Sequence, residues 1–226
     1  MAAKPKTAQE TEVQTTFAGL EGEQYHVRLT FQERLLGTMP RDPSILSTYL
    51  QSKAHPPLSD ERRQEEVDTL PGTEEETRGT GFPFDDRGLF LWDYHLRGYL
   101  KEAARVLRLS VPGRRKAEVA LTDRLLEQYV YVFPRRLHLM REGQIVKEPD
   151  GVFERPLRAM TAQGPRVSIA VSEYLDPPLY LEARIFVLRG PISVELSQAL
   201  LPYGQLTGLG QWRTGGNGRF VVEVIG

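Results

Sequence analysis

The densest run of residue types able to meet a ligand lies near the C-terminus, in Tyr203 to Phe220, YGQLTGLGQWRTGGNGRF. Gly204, Gly208, Gly210, Gly215, Gly216 and Gly218 fall within fifteen positions. Glycine permits positive φ angles and close backbone approach, which a cradle of exposed amides for anionic oxygens requires. Trp212 adds a flat face on which a base can stack, and Arg213 and Arg219 add forked donors for phosphate. The plainer alternative is a series of turns before a strand, with Trp212 packed as a lid on the core. Two arginines and a tryptophan among six glycines exceed what a turn needs. The candidate ligand-contacting set is therefore Gly208, Gly210, Gln211, Trp212, Arg213, Gly215, Gly216, Asn217, Gly218 and Arg219, with nucleic acid as the expected ligand. The run has neither the Gly-Lys-Ser/Thr ending of a phosphate-binding loop nor a dinucleotide fingerprint.

A second set is basic: Arg114, Arg115 and Lys116, then Arg135 and Arg136, then Arg155, Arg158 and Arg166. If the segment Phe153 to Val171 projects as a hairpin, Arg155, Arg158 and Arg166 can grip a phosphate backbone, and Arg28 on the first strand can join them. Acids are interspersed through the same stretch, so a solvated mixed-charge surface is the alternative. His26 and His95 are of a type that can titrate near neutrality and are the weak catalytic candidates. The histidines have no metal-ligand spacing, and the chain has no cysteine, which excludes disulfides, thiolate zinc sites and thiol nucleophiles. No Gly-x-Ser-x-Gly elbow is present. No cofactor and no metal are expected.

These residues need a scaffold, and 226 residues, 40% hydrophobic and 26% charged, suffice for one. No apolar run approaches the ~18–20 residues of a membrane helix, and the N-terminus lacks a signal-peptide core, so a cytoplasmic protein without membrane contact is expected. The net charge of -1 is uneven: Ser59 to Arg78 carries eight acids against three bases, leaving +4 for the remainder. An acidic insert thus masks a mildly basic body able to meet phosphates.

Residues 1–22 read as a disordered tail, and 23–226 as a single domain with an insertion at 37–81 and a hairpin at 153–173. Tyr25, Val27, Leu29 and Phe31 alternate with polar neighbours, which predicts a half-buried strand. Leu89, Trp92, Leu96, Leu100, Ala103 and Leu107 predict a helix over Asp86 to Leu107. Gln128–Phe133 and Arg135–Met140 read as strands that can be neighbours, and Gln163-Gly164-Pro165 as the turn of the hairpin. Leu179–Leu188 is a strong strand. Ser193 opens a short helix with Val194, Leu196, Ala199 and Leu200 facing the core, and Gly218–Val224 closes the sheet. The order fits an α+β fold with a ferredoxin-like (RRM-like) β-α-β-β-α-β core, a long acidic insertion and a β-hairpin extension.

The N-terminal strand Tyr25–Phe31, the helix entered through Gly81 to Phe84, and the GLGQWRTGGNGRF loop together resemble the RAMP superfamily of CRISPR-associated proteins. That resemblance implies ferredoxin-like domains, a C-terminal glycine-rich loop touching RNA, binding of RNA or an RNA–DNA duplex, and other subunits of a multi-protein complex as partners. It implies a non-catalytic subunit of a ribonucleoprotein or, alternatively, a metal-independent guide-processing endoribonuclease. The late loop is also similar to tails of phage proteins, which implies a structural or interaction role instead.

Overall fold

The computed structural model describes residues 19–42, 79–109, 124–161 and 164–226. Strands β1 (Gly22–Phe31), β2 (Leu35–Leu36), β3 (Met39–Pro40), β4 (Thr80–Gly81) and β5 (Phe90–Trp92) precede helix α1 (Asp93–Leu109). Strands β6 (Val130–Phe133), β7 (Arg136–His138), β8 (Met140–Arg141), β9 (Gln144–Ile145), β10 (Gly151–Thr161), β11 (Gly164–Leu175) and β12 (Leu179–Leu188) follow. Helices α2 (Val194–Leu200) and α3 (Gly204–Thr207) then lead through the glycine-rich loop to β13 (Phe220–Val224). The fold is mixed α+β, with more sheet than helix.

The main sheet runs β13-β1-β12, with β6 and β8 side by side along the far edge of β12, and its neighbours pair antiparallel. The alternation in β1 does what its pattern dictates: Tyr25, Val27, Leu29 and Phe31 are buried, and His26 and Arg28 face outward. Leu96, Tyr99, Leu100, Ala103 and Ala104 of α1 share one core cluster with those β1 residues and with Leu181, Ala183 and Ile185 of β12. Leu200, Leu201, Leu209 and Phe220 extend it under the loop.

A second sheet, β10-β11-β4-β3 with β2 also on β11, stands beside the first. β10 and β11 pair from Gly151↔Tyr174 to Thr161↔Gly164. Arg41, after β3, pairs with the buried Glu173 of β11, whose other oxygen accepts the Phe82 amide at 2.8 Å. Thr80 and Ser172 meet through their hydroxyls at 2.8 Å. Both ends of the segment 43–78 are thus fastened to the strand that carries the hairpin.

Several boundaries differ from the sequence expectation. The helix expected from Asp86 begins at Asp93, because Phe90–Trp92 is buried on both faces as a strand paired with Arg136–His138. A continuous apolar run of this kind fits a helix pattern and an enclosed strand equally well. Residues 124–129 are helical, so the strand expected from Gln128 starts at Val130. β6 and β7 join different partners, β12 and β5, and are not neighbours. In α2 Ala199 is exposed, and Ser197 takes the inward position, its hydroxyl 2.6 Å from the buried Tyr25 hydroxyl. The basic loop Arg114–Lys116, the tail 1–18 and most of the acidic insertion lie outside the described residues. No described helix is long and apolar enough to cross a membrane.

Candidate nucleic-acid interface

The glycine-rich loop is a folded turn system. Its chain crosses from α3 to β13 over the connection between β1 and β2, and backbone hydrogen bonds hold it there. Gly208 donates to Gly204 O, Leu209 to Gly218 O, Gln211 to Leu36 O, Gly215 to Trp212 O, Gly216 to Arg213 O, and Gly218 to Arg34 O. The cradle of free amides expected from the sequence is therefore partly closed: four of these donors bond within the loop and two bond the Leu36 and Arg34 carbonyls outside it. Two glycines are demanded by this arrangement. Gly208 and Gly218, both at positive φ, lie back to back, so that a Cβ on Gly208 would meet the Gly218 carbonyl and one on Gly218 would meet the Leu209 carbonyl.

The side chains of the loop divide. Arg213 pairs with Glu102 of α1 at 2.8 Å. Asn217 donates to the Trp212 carbonyl at 3.1 Å and so belongs to the turn. Arg219 is exposed and has no acidic partner among the described residues. Trp212 sits in the left-handed region at φ 47° and remains 37% exposed.

Trp212 meets the base of the hairpin. Phe153 and Arg155, two residues apart on one face of β10, both contact the indole: the Phe153 ring stacks at 5.7 Å and 23°, and the Arg155 guanidinium lies 4.4 Å from the indole centroid. Arg34 continues the series, with its guanidinium 5.8 Å from Phe153 and 3.8 Å from Tyr174 of β11. Its Nε and Nη2 donate to the two oxygens of Asp176 at 2.7 and 3.0 Å. Arg141 grips Asp150 with the same forked geometry, at 2.9 and 2.7 Å, and holds that carboxyl below the usual carboxylate range. Loop, strand connection and hairpin are therefore one junction built on alternating rings and guanidinium groups.

The expected site residues are not all brought together here. Arg155 meets Trp212, whereas Arg213 turns to Glu102 and Arg219 is exposed at the end of the same loop. Arg158 and Arg166 stand further along the hairpin, opposite Val167 and Ala159, and only their backbones are described. Arg28 lies on the outer face of β1, where its Nε and Nη2 donate to one oxygen of Glu182 at 2.9 and 2.7 Å. His26, next to it, has its Nε2 3.6 Å from the other oxygen. His95 is in the first turn of α1 with Nε2 3.2 Å from the Thr38 hydroxyl, and its buried Nδ1 has no hydrogen-bond partner. Burial pushes its imidazole down to about 4, so it is neutral at pH 7 and does not titrate near neutrality.

Phe153, Tyr174 and Arg34 were missed by sequence reasoning. The second and fourth residues of VFERP, Phe153 and Arg155, fall on one face, a period-2 signal that was legible. Nothing local marks Arg34. A second constellation also went unnoticed: Asp85 accepts from His138 at 3.0 Å and from Arg136 at 3.1 Å, and its carboxylate accepts the Arg87 and Gly88 amides. Burial would raise its pKa, but those partners outweigh it and hold Asp85 at about 2. It clamps the turn before β5 onto β7.

No protein-family model matches the chain, and no curated protein matches it. A chain in the cryo-EM structure of the Type III-B Cmr-beta bound to cognate target RNA is similar to it, at 12% identity and a TM-score of 0.45. The match covers 90% of this chain and 61% of that one. So shallow a likeness assigns neither fold nor function. Among the described residues no group of three or more histidines and carboxylates is placed to hold a metal ion.

Proposed function

We propose that the chain is a non-catalytic RNA-binding subunit of a multi-protein ribonucleoprotein complex, built on a ferredoxin-like core. The order β13-β1-β12-β6, all antiparallel, with α1 between β1 and β6 and α2 between β12 and β13, supports that core. The contacts run through Arg155, Trp212 and Arg219 at the junction, with Arg158 and Arg166 extending them along the hairpin and Arg28 secondary. One observation carries the proposal. Arg28, Arg34, Arg141 and Arg213 each face a carboxylate, whereas Arg155 lies on a half-exposed indole and Arg219 stands in solvent, neither with an acidic partner among the described residues. Uncompensated guanidinium groups beside an accessible ring are what a phosphate chain with unpaired bases would meet. His95, partly buried and neutral, and His26, beside Glu182, favour a non-catalytic role.

The test is the binding of a fluorescein-labelled single-stranded RNA, followed by anisotropy over a range of salt. Replacing Arg155 and Arg219 by Gln removes two phosphate contacts and lowers the slope of log K against log[salt] by about 1.4. Arg28→Gln and Arg213→Gln change it less, since each of those charges is already shared with an acid. Equal effects from the two pairs, or no binding by the unaltered chain, would refute the assignment.

A further inference from the structure

We infer that the junction takes one unpaired nucleobase, which stacks on the Trp212 indole in place of the Arg155 guanidinium and leaves that arginine to its phosphate. The inference rests on the RNA-binding proposal and deepens it by naming the ring that takes a base and the arginine that base displaces.

Three observations lead there. The indole is fixed. Phe153 stacks on it, a Cβ on Gly215 would fall 2.5 Å from Cε2, and the Trp212 carbonyl is held by the Gly215 amide and the Asn217 side chain. A ring held in this way yet 37% exposed cannot withdraw from solvent and offers a preformed platform. The arginine is not fixed. Arg155 has no acidic partner among the described residues, and what holds it is its contact with the ring. In water a guanidinium over an exposed indole is held more weakly than a nucleobase stacked on one, so a base can take the position. The freed guanidinium remains within side-chain reach of the phosphate attached to that base, and so it exchanges one favourable contact for another.

The same geometry selects against a duplex. A paired base has neighbours stacked on both faces and must be turned out of the helix before it can reach an indole set between a hairpin and a loop. The indole contact carries no hydrogen-bond code, so this position is tolerant of base identity.

The chain reports on itself. It has two tryptophans, and Trp92 is fully buried, so a ligand-induced change in tryptophan emission comes from Trp212. Titration with a short polyuridine strand is expected to quench emission in parallel with the anisotropy of a labelled copy, while an RNA duplex of equal length leaves emission unchanged. Trp212→Phe keeps a ring and affinity within about threefold but abolishes the quenching, and Trp212→Leu weakens single-strand binding on the order of tenfold. If the strand binds by anisotropy with no change in emission, or if the duplex quenches equally, the inference fails while RNA binding stands. If neither RNA binds, the underlying proposal fails and takes the inference with it.

Discussion

Replacing Gly218 by alanine tests whether the glycine-rich loop is built by packing or left open for a ligand. Gly218 adopts φ +70°, where an L-residue costs about 1–2 kcal/mol. Its added Cβ would run into the Leu209 carbonyl, and that carbonyl cannot retreat, because the Leu209 amide is bonded at 2.9 Å to the Gly218 oxygen and Leu209 itself is buried. The chain must therefore give up the Leu209-to-Gly218 bond, the 2.7 Å bond from the Gly218 amide to Arg34 O, or both, at about 1 kcal/mol each. The total is about 2–4 kcal/mol. Gly216→Ala is the matched control: it shares a positive φ of 90°, but its Cβ would meet only the far end of Arg219 at 4.0 Å, so it loses about 1–2 kcal/mol. Urea unfolding followed by circular dichroism separates the two, with the Gly218→Ala midpoint falling by about 1 M or more. Equal losses would mean that contact with Leu209 does not fix the loop, and the account of a closed turn system would be wrong.

Two further outcomes follow from buried charge. His95 is held at about 4 when folded against 6.5 when unfolded, so the unfolded chain binds the additional proton between those values. The stability it contributes is fully present above about pH 6.5 and is lost as pH falls toward 4, by about 2–3 kcal/mol; unfolding midpoints measured from pH 7 to 4.5 should show this, and His95→Phe should flatten the profile. Glu173→Ala removes the carboxylate, its side chain 10% exposed, that pairs with the Arg41 guanidinium and accepts the Phe82 amide in the second sheet. The expected loss is about 3 kcal/mol by chemical denaturation, with Glu173→Gln, which keeps the amide contact, losing less.

Legibility in the sequence followed how local each constraint is. The alternation of β1 and β12 was readable because a half-buried strand writes its burial into every second residue, and the pattern survives whatever the partner strands are. Phe90–Trp92 was misread as helix because a strand enclosed on both faces leaves no period to see. Ser197 was passed over for Ala199 because the position is decided by Tyr25, 172 residues away in the chain, whose hydroxyl needs a partner inside the core. At the junction the loop's residue types were legible and their employment was not. Glycines were readable as turn-formers or as amide donors, and the choice depends on Arg34, between β1 and β2, and Leu36 of β2, whose carbonyls close on the loop.

The charge pattern has the same origin and bears on how the chain can bind a polyanion. A net charge of -1 leaves open whether basic residues are free or neutralised where they stand. Among the described residues seven arginines are neutralised where they stand: Arg28 by Glu182, Arg34 by Asp176, Arg41 by Glu173, Arg136 by Asp85, Arg141 by Asp150, Arg189 by Glu21 and Arg213 by Glu102. A phosphate approaching any of these must displace a carboxylate, in two cases one held by two parallel hydrogen bonds, and the exchange gains little. Counterion release at the junction then comes from Arg155 and Arg219, and affinity built on two phosphates is modest and strongly weakened by salt. Such a surface does little alone. Repeated along a strand by neighbouring subunits, each supplying a ring and one or two free guanidinium groups, the same modest contact multiplies through effective concentration. On the proposed function, self-neutralised arginines around a small uncompensated junction would suit a subunit that binds as part of an assembly better than a protein that captures nucleic acid by itself.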